Sequence, residues 1–551
     1  MTTATPTTMT GGEAVVAALE ALGIDTVFGI VSIHNVPTLD AIGRSSSIEF
    51  IACRHEQGAV HAADGYARAS GKVGVALTST GPGAANAMGG LFEANYASSP
   101  VLMITGQVET AEFGRGRGTI HQAERQLEML RTITKRAEHI DRADDIAPVI
   151  MSVVHDMLSG RPGPAAIEIP IDQQYAPAEV GDLHAQAPRR TTPSAATIDK
   201  ARAMLAAAER PLIIAGGGVI HANAAAELTK LAELLSAPVL TTIEGRGAIP
   251  ETHALSLGPN IDMSAMDAVL AQADVVFAVG TRFQLYTNVL KWLRFPGTLI
   301  HLDADPTMIG RVHPADLAVV GDARLGLQAL LAGPIKPSPH TEWVATSQAH
   351  RDEVVASNRN DVGPDITAIM DAMANALPPD AVVAKDATIS AYLWGNRLLP
   401  VHQPRTAIRP TSQAIGPGVP LGLGASVATR KPTVVIQGDG GLMLSIGELA
   451  TAAQYKLPLI VCVFNDRGYG MLRFIQDMAV AGRRTGVELA TPDFAAVGAA
   501  FGINSATITS VAQFTDTFTK AVAQGGPWIL DIDLGSMTPM KITPQPKPVR
   551  D

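Results

Sequence analysis

The stretch Pro432-Thr433-Val434-Val435-Ile436-Gln437-Gly438-Asp439-Gly440-Gly441-Leu442-Met443 decides the fold, together with Pro458-Leu459-Ile460-Val461-Cys462-Val463-Phe464-Asn465-Asp466-Arg467-Gly468-Tyr469-Gly470 beyond an intervening helical segment. Both apolar runs are short, β-branched and unbroken by polar residues, which marks strands buried on both faces, and such strands belong to parallel sheets with helical crossovers. Asp439 and Asn465 are 26 positions apart (465 − 439), about the length of one strand, helix and return strand. Their side chains are therefore expected side by side at the carboxyl ends of neighbouring strands, where α/β proteins bind ligands. Asp439, the Asn465 amide oxygen and a main-chain carbonyl at Arg467, with two phosphate oxygens and a water, would complete an octahedral magnesium site. Gly438, Gly440 and Gly441 let the main chain approach the phosphates, and a helix expected to begin near Leu442 offers its first amides to the anion. Gly-Asp-Gly-Gly alone also suits an ordinary strand-to-turn junction; the second strand end is what makes it informative.

The same alternation runs through all 551 residues. Apolar runs at Pro100 to Thr105, Pro211 to Ala215 and Val275 to Val279 alternate with Ala/Leu-rich stretches of helical period at Gly12 to Leu22, Ala224 to Leu235 and Phe494 to Phe501. Pro-rich polar joints at Pro177 to Thr197 and Gly333 to His340 divide the chain into 1–185, 190–335 and 350–551. The expected fold class is α/β, three domains each with a mainly parallel sheet flanked by helices. Mean hydropathy is +0.17, yet no apolar run approaches the roughly 18 to 20 residues of a membrane-spanning helix. Net charge is −10, with no Lys/Arg cluster longer than a pair, so neither a membrane nor a nucleic acid is an expected partner. The two cysteines, Cys53 and Cys462, lie in apolar runs and read as buried thiols, too few for a disulfide framework or a zinc site. Met1 to Thr10 has neither a basic nor an apolar signal region, and a cytoplasmic address is the expectation.

In the first block the strand-like Ile48 to Cys53 leads into Arg54-His55-Glu56-Gln57-Gly58 and a helix through Arg68. Glu56 therefore sits at a strand-to-helix junction, where burial raises a carboxyl pKa and lets it share a proton with a ring nitrogen. The plainer alternative is an acidic residue at a helix N-terminus.

Two motif sets carry a family resemblance. The diphosphate stretch, preceded by Ile415-Gly416-Pro417-Gly418-Val419-Pro420-Leu421-Gly422-Leu423-Gly424-Ala425, resembles the thiamine-diphosphate signature. Arg54-His55-Glu56, Ala62 to Arg68 and Thr80-Gly81-Pro82-Gly83-Ala84-Ala85-Asn86 resemble the pyrimidine-binding domain of the acetolactate synthase, pyruvate oxidase and 2-oxo acid decarboxylase family. Val27-Phe28-Gly29, Thr105-Gly106-Gln107, Ile133-Thr134-Lys135, Val279 to Phe283 and Leu302 to Asp305 occur in family order, so the likeness spans most of the chain. It implies a pyrimidine-binding first domain, a Rossmann-like middle domain and a diphosphate-binding third domain. It also implies a homodimer or homotetramer, with thiamine diphosphate and Mg2+ held between the first domain of one subunit and the third of its partner. Glu56 would then draw on the aminopyrimidine so that C2 of the thiazolium loses its proton. Ile415 would prop the bent cofactor, Thr388 of Asp386-Ala387-Thr388 would contact the pyrimidine, and Gly468, Tyr469 and the three motif glycines would complete the cofactor set.

The substrate side departs from the family pattern. Gly29-Ile30-Val31-Ser32-Ile33-His34-Asn35 replaces a loop that often reads Gly-x-Pro-Gly, and Ile33 stands where other decarboxylases carry Ser or Asp. His34, a loop histidine otherwise, would take over acid/base work as in benzaldehyde-lyase-like members. Gln122, or its neighbour His121, falls where the family places a Gln facing the reactive carbon. Arg282 matches the acetolactate enzyme's substrate arginine, but Gln284-Leu285 replaces the following acidic pair and Ile475 an expected Trp. The flavin-contacting phrase, here Gly258-Pro259-Asn260-Ile261-Asp262, is changed, which counts against FAD although Gly216-Gly217-Gly218 persists. These departures point to a 2-oxo acid decarboxylase or carboligase working on a small molecule through a C2 ylid and an enamine, other than the biosynthetic acetolactate enzyme. The alternatives are a 2-hydroxyacyl-CoA or acyloin lyase, hinted at by Gly29 to Ile33, and, from a different class, a nucleotide-dependent oxidoreductase.

Overall fold

The computed structural model describes residues 7–284, 293–335, 339–480 and 482–541. Of the segments named from the sequence, residues 1–6, Leu285 and 336–338 lie outside the described residues.

Three six-stranded parallel sheets succeed one another along the chain. The first runs, in spatial order, Glu49–Ala52, Thr26–Gly29, Gly74–Thr78, Val101–Gln107, Ala165–Pro170 and Arg136–His139. The third runs Ala407–Ile408, Val382–Lys385, Thr433–Gly438, Leu459–Asn465, Trp528–Asp533 and Asn504–Ile508. Numbered along the chain, both read 2-1-3-4-6-5. The middle sheet, Ser256–Gly258, Val239–Thr241, Pro211–Ala215, Val275–Val279, Thr298–Asp303 and Leu317–Val320, reads 3-2-1-4-5-6, the dinucleotide-fold order. The expected apolar runs are these central strands, and Val275–Val279 and Pro211–Ala215 are buried at every position.

The first and third units pack through helices Glu56–Ser70 and Gly418–Thr429. A Cβ at Gly424 would lie 1.8 Å from the Ala62 carbonyl oxygen, so only glycine lets the two backbones touch there. Beside this seam, Arg68 reaches buried Asp64 at 2.7 Å and buried Glu93 at 2.5 Å, and Glu93 accepts the amides of Thr411 and Ser412.

One expectation needs correction. The segment expected as a joint from Pro177 begins as a strand, Pro177–Val180, paired antiparallel with Thr7–Thr10; its alternating burial ties it to the first unit. After the second joint, helix Thr341–Val362 returns Trp343 to the middle unit, where its indole donates to the Pro211 carbonyl at 2.8 Å. Among the described residues no helix is long and apolar enough to cross a membrane.

Candidate active site

The third sheet aligns Gly438 with Phe464 on adjacent strands, so both strand ends open at one place. Asp439 is buried; its Oδ2 accepts the Gly468 amide at 2.8 Å, and its Oδ1 has no hydrogen-bond partner. Asn465 faces the other way, its amide donating to Asp531 Oδ1 at 3.0 Å and its oxygen accepting the Arg467 amide at 3.1 Å. The Arg467 carbonyl accepts from the Leu489 amide. The expected set Asp439, Asn465 and Arg467 is thus not brought together. Side chains alternate along a strand, and the next residue, Asp466, is the one turned to Asp439. Burial, with the neighbouring Asp439 adding to it, raises Asp466 against the pull of Arg473 at 3.2 Å. Burial also raises Asp439. A buried and a half-buried carboxyl that abut, with one unpartnered oxygen, are a place for a cation. Among the described residues no group of three or more His, Cys, Asp or Glu converges, so a cation there would rely on main-chain and ligand oxygens as well.

The pocket beside this pair is lined by Thr388, Ile415, Gly438, Gly440, Gly441, Gly468, Tyr469 and Ile475, among others. A Cβ at Gly440 would sit 2.7 Å from the Tyr469 ring and one at Gly441 2.1 Å from Asp386 Oδ2; the space exists because both residues lack one. The helix expected from Leu442 is instead the single turn Asp439–Leu442. Asp386 is fully buried, and burial pushes it up to about 6. Its carboxyl accepts the Gly416 amide at 2.9 Å and the Gln437 side-chain amide at 2.6 Å, which fixes the loop presenting Ile415. These residues fit a diphosphate with its cation: glycine-lined space, an unpartnered carboxylate oxygen and an apolar prop.

In the first unit Glu56 opens helix Glu56–Ser70, half-buried, and accepts from Asn86 Nδ2 at 3.1 Å. A Cβ at Gly83 would lie 2.9 Å from Glu56 Oε1 and 2.6 Å from Ser79 Cβ, so Gly83 makes room for the carboxyl beside Ser79. The Ser79 hydroxyl meets Ser32 Oγ at 2.7 Å and His121 Nδ1 at 3.3 Å. His121 holds φ +61, its carbonyl packed over Gly81 at φ +56. Its ring centroid lies 5.3 Å from that of His34. His34 is buried with Nδ1 unpartnered, and burial, with His121 behind it, lowers its pKa. Gln122 spends its carbonyl oxygen on the amides of Gly118 and Thr119, leaving a buried, unpartnered Nε2. Ile33 is exposed on the same rim, as are Val31 and Ile120. Beneath, Gln126 accepts from Gly81 N at 2.8 Å and Thr80 Oγ1 at 2.9 Å, and is held by buried Glu168. Ser32 and Ser79 escape a reading of the sequence because isolated serines carry no pattern.

Arg282 is not with either group. It lines a separate cavity between the units with Arg161, Arg405 and Asp303, bonded to the Tyr96 carbonyl at 2.5 Å, and burial lowers it to about 10. Nor does one chain join its two half-sites, since the glycine-lined pocket draws only on residues from Asp386 to Ile475 and Glu56 stands with Ser79, Gly83 and Asn86.

Family models for the N-terminal TPP-binding, central and C-terminal TPP-binding domains of thiamine pyrophosphate enzymes match residues 9–129, 198–330 and 389–532. The chain is 32% identical to a "probable acetolactate synthase large subunit" of Methanocaldococcus jannaschii, over 97% of this chain and 94% of that one. It is 35% identical to a "probable 2-ketoarginine decarboxylase" of Pseudomonas aeruginosa, over 90% and 89%. It is 32% identical to the acetolactate synthase isozyme 3 large subunit of Escherichia coli, again over 90% and 89%. With three matching domains in order on three parallel sheets, the chain belongs to the thiamine pyrophosphate enzymes, as an acetolactate-synthase-like member.

Proposed function

We propose that the chain is a magnesium-dependent 2-oxo acid decarboxylase/carboligase, cytoplasmic, acting as a homodimer or homotetramer with units 1–185, 190–335 and 350–551. The observation that carries it is the Asp439–Asp466 pair with its unpartnered oxygen beside glycine-lined space. Asp439 and Asp466 hold the cation, with main-chain and ligand oxygens completing its shell. Thr388, Ile415, Gly438, Gly440, Gly441 and Tyr469 hold the rest of the cofactor. Thiamine diphosphate, when bound, would supply a nucleophilic carbon and an electron sink for decarboxylation. Glu56 shares a proton with the aminopyrimidine ring nitrogen. His34, its pKa lowered and its Nδ1 unpartnered, is neutral near pH 7 and moves a proton at the reacting carbon together with His121. Gln122 Nε2 donates to the substrate. A pair of imidazoles able to deliver that proton favours decarboxylation, the activity named for the Pseudomonas relative.

Self-association is supported by the separation of the half-sites within one chain. Apolar rims lie exposed at Val31, Ile33 and Ile120 on one side and at Leu444, Leu472 and Ile475 on the other; a second copy laid first unit over third unit covers both. The two buried free cysteines suit a reducing compartment. The test is CO2 release and product analysis over a panel of 2-oxo acids, pyruvate and 2-ketoarginine included, with thiamine diphosphate and Mg2+. Aldehyde as the main product is expected, and absence of CO2 release from every member would sink the reading.

A further inference from the structure

The strand Glu49–Ala52 lies at the edge of the first sheet, where free amides and carbonyls are exposed unless something covers them. What covers this one is the helix Glu448–Gln454 of the third unit. Tyr455, which caps that helix, accepts the Ala52 amide at 2.8 Å and donates to the Phe50 carbonyl at 3.0 Å through its hydroxyl. Gln454 accepts from Arg54 Nη2 at 2.7 Å. Glu448, 2% exposed, points Oε1 at the amides of Arg54 and His55, at 3.0 and 3.2 Å, and takes the Thr451 hydroxyl on Oε2 at 2.8 Å. A Cβ at Gly58 would lie 2.3 Å from Glu448 Oε1, so the carboxyl reaches those amides only because residue 58 is glycine.

The Glu448 and Gln454 contacts fall on the strand-to-helix junction that ends in Glu56, and those of Tyr455 on the strand that leads into it. We propose that Glu448 and Tyr455 are positioning residues, Glu448 fixing the backbone of Arg54 and His55 and Tyr455 the strand end at Phe50 and Ala52 that leads into it, and through them the direction of the Glu56 carboxyl. The inference rests on the role assigned to Glu56 under the proposed function. The helix begins nine positions (448 − 439) after Asp439, so the segment turned to the diphosphate in the third unit also sets the proton-sharing residue of the first. Glu448 acts here as an acceptor only. Its own proton is not used, and an amide oxygen can replace it.

Two measurements separate this from a merely structural contact. In the cofactor-free protein, amide hydrogen exchange at Arg54 and His55 should be slow, accelerate at least about tenfold in Glu448→Ala and return to the parent rate in Glu448→Gln. In the protein loaded with thiamine diphosphate and Mg2+, Glu448→Ala should slow hydrogen exchange at cofactor C2 by about 10- to 100-fold, the usual cost of a misdirected group, with cofactor affinity within about threefold. Glu448→Gln should restore it, and Tyr455→Phe, which deletes one hydroxyl, should slow it several-fold. C2 exchange within about twofold of the parent in Glu448→Ala, or in Tyr455→Phe should Glu448→Ala fail to fold, overturns the proposal. So does a Glu448→Gln as slow as Glu448→Ala, which would show that the carboxyl proton itself is used. A parent protein with protected amides but no C2 exchange would instead refute the role of Glu56 and leave the clamp standing.

Discussion

The first and third units share one sheet order, 2-1-3-4-6-5, and differ in the turns that leave equivalent strands. After the third strand the first unit has Ser79-Thr80-Gly81-Pro82-Gly83, a turn wedged between Glu56 and His121; the third unit has Asp439-Gly440-Gly441, a turn beside a second carboxyl. After the second strand the first unit carries Glu56, whereas the third has no acid there before Thr411-Ser412. One scaffold thus presents hydroxyls, imidazoles and a single carboxyl in one copy, and paired carboxyls with open main chain in the other. The first set suits a neutral aromatic ring that exchanges protons, the second a multiply charged anion and its metal. Function lives in the strand-end turns, and the sheets only aim them.

The sharpest way to break this division of labour is at Glu56. Glu56→Gln should lower hydrogen exchange at cofactor C2 by about 1000-fold while leaving thiamine diphosphate bound, because the diphosphate half is untouched. Loss of binding with unchanged exchange in the retained fraction would reverse the two roles. Next in size is the third unit. Asp466→Ala should weaken Mg2+-dependent cofactor retention about 100-fold, the scale of a lost coordination partner, and Asn465→Ala by less than about threefold. Isothermal titration of both variants decides it, and the opposite ranking would return the site to the strand face that carries Asn465.

The Asn465 and Asp466 pair also marks what the sequence reveals. Apolar runs such as Val275–Val279 announce the central strands, because a strand buried on both faces has no room for polar residues. The glycines announce the diphosphate turn for the matching reason, close backbone approach. Two adjacent oxygen ligands at a strand end are a different problem, since alternation guarantees that one faces the pocket without saying which. Only the pairing of Asn465 with Asp531, 66 positions away, resolves it. Glu448 is invisible on the same ground: its partners at Arg54 and His55 lie 394 and 393 positions away, and nothing local marks a glutamate that caps another unit's junction. Arg282 shows the converse, a motif match that keeps its place in the chain while its side chain enters a different cavity.

The smallest expected difference between the halves lies in their response to acid. Helix Glu56–Ser70 buries His61, whereas its packing partner Gly418–Thr429 has no ionisable side chain. Burial lowers His61 to about 4, with Glu93 opposing and Arg68 reinforcing. Between pH 6.5 and 4 the unfolded chain therefore binds a proton that the folded chain refuses. The stabilisation is complete above the unfolded value and is lost as pH falls towards the folded one, about 2 kcal/mol of it by about pH 5. Melting curves at about pH 7.5 and about pH 5 should show the parent losing more stability than His61→Gln, whose side chain does not titrate. An equal loss in both would assign the acid sensitivity to other groups and remove this asymmetry between the two units.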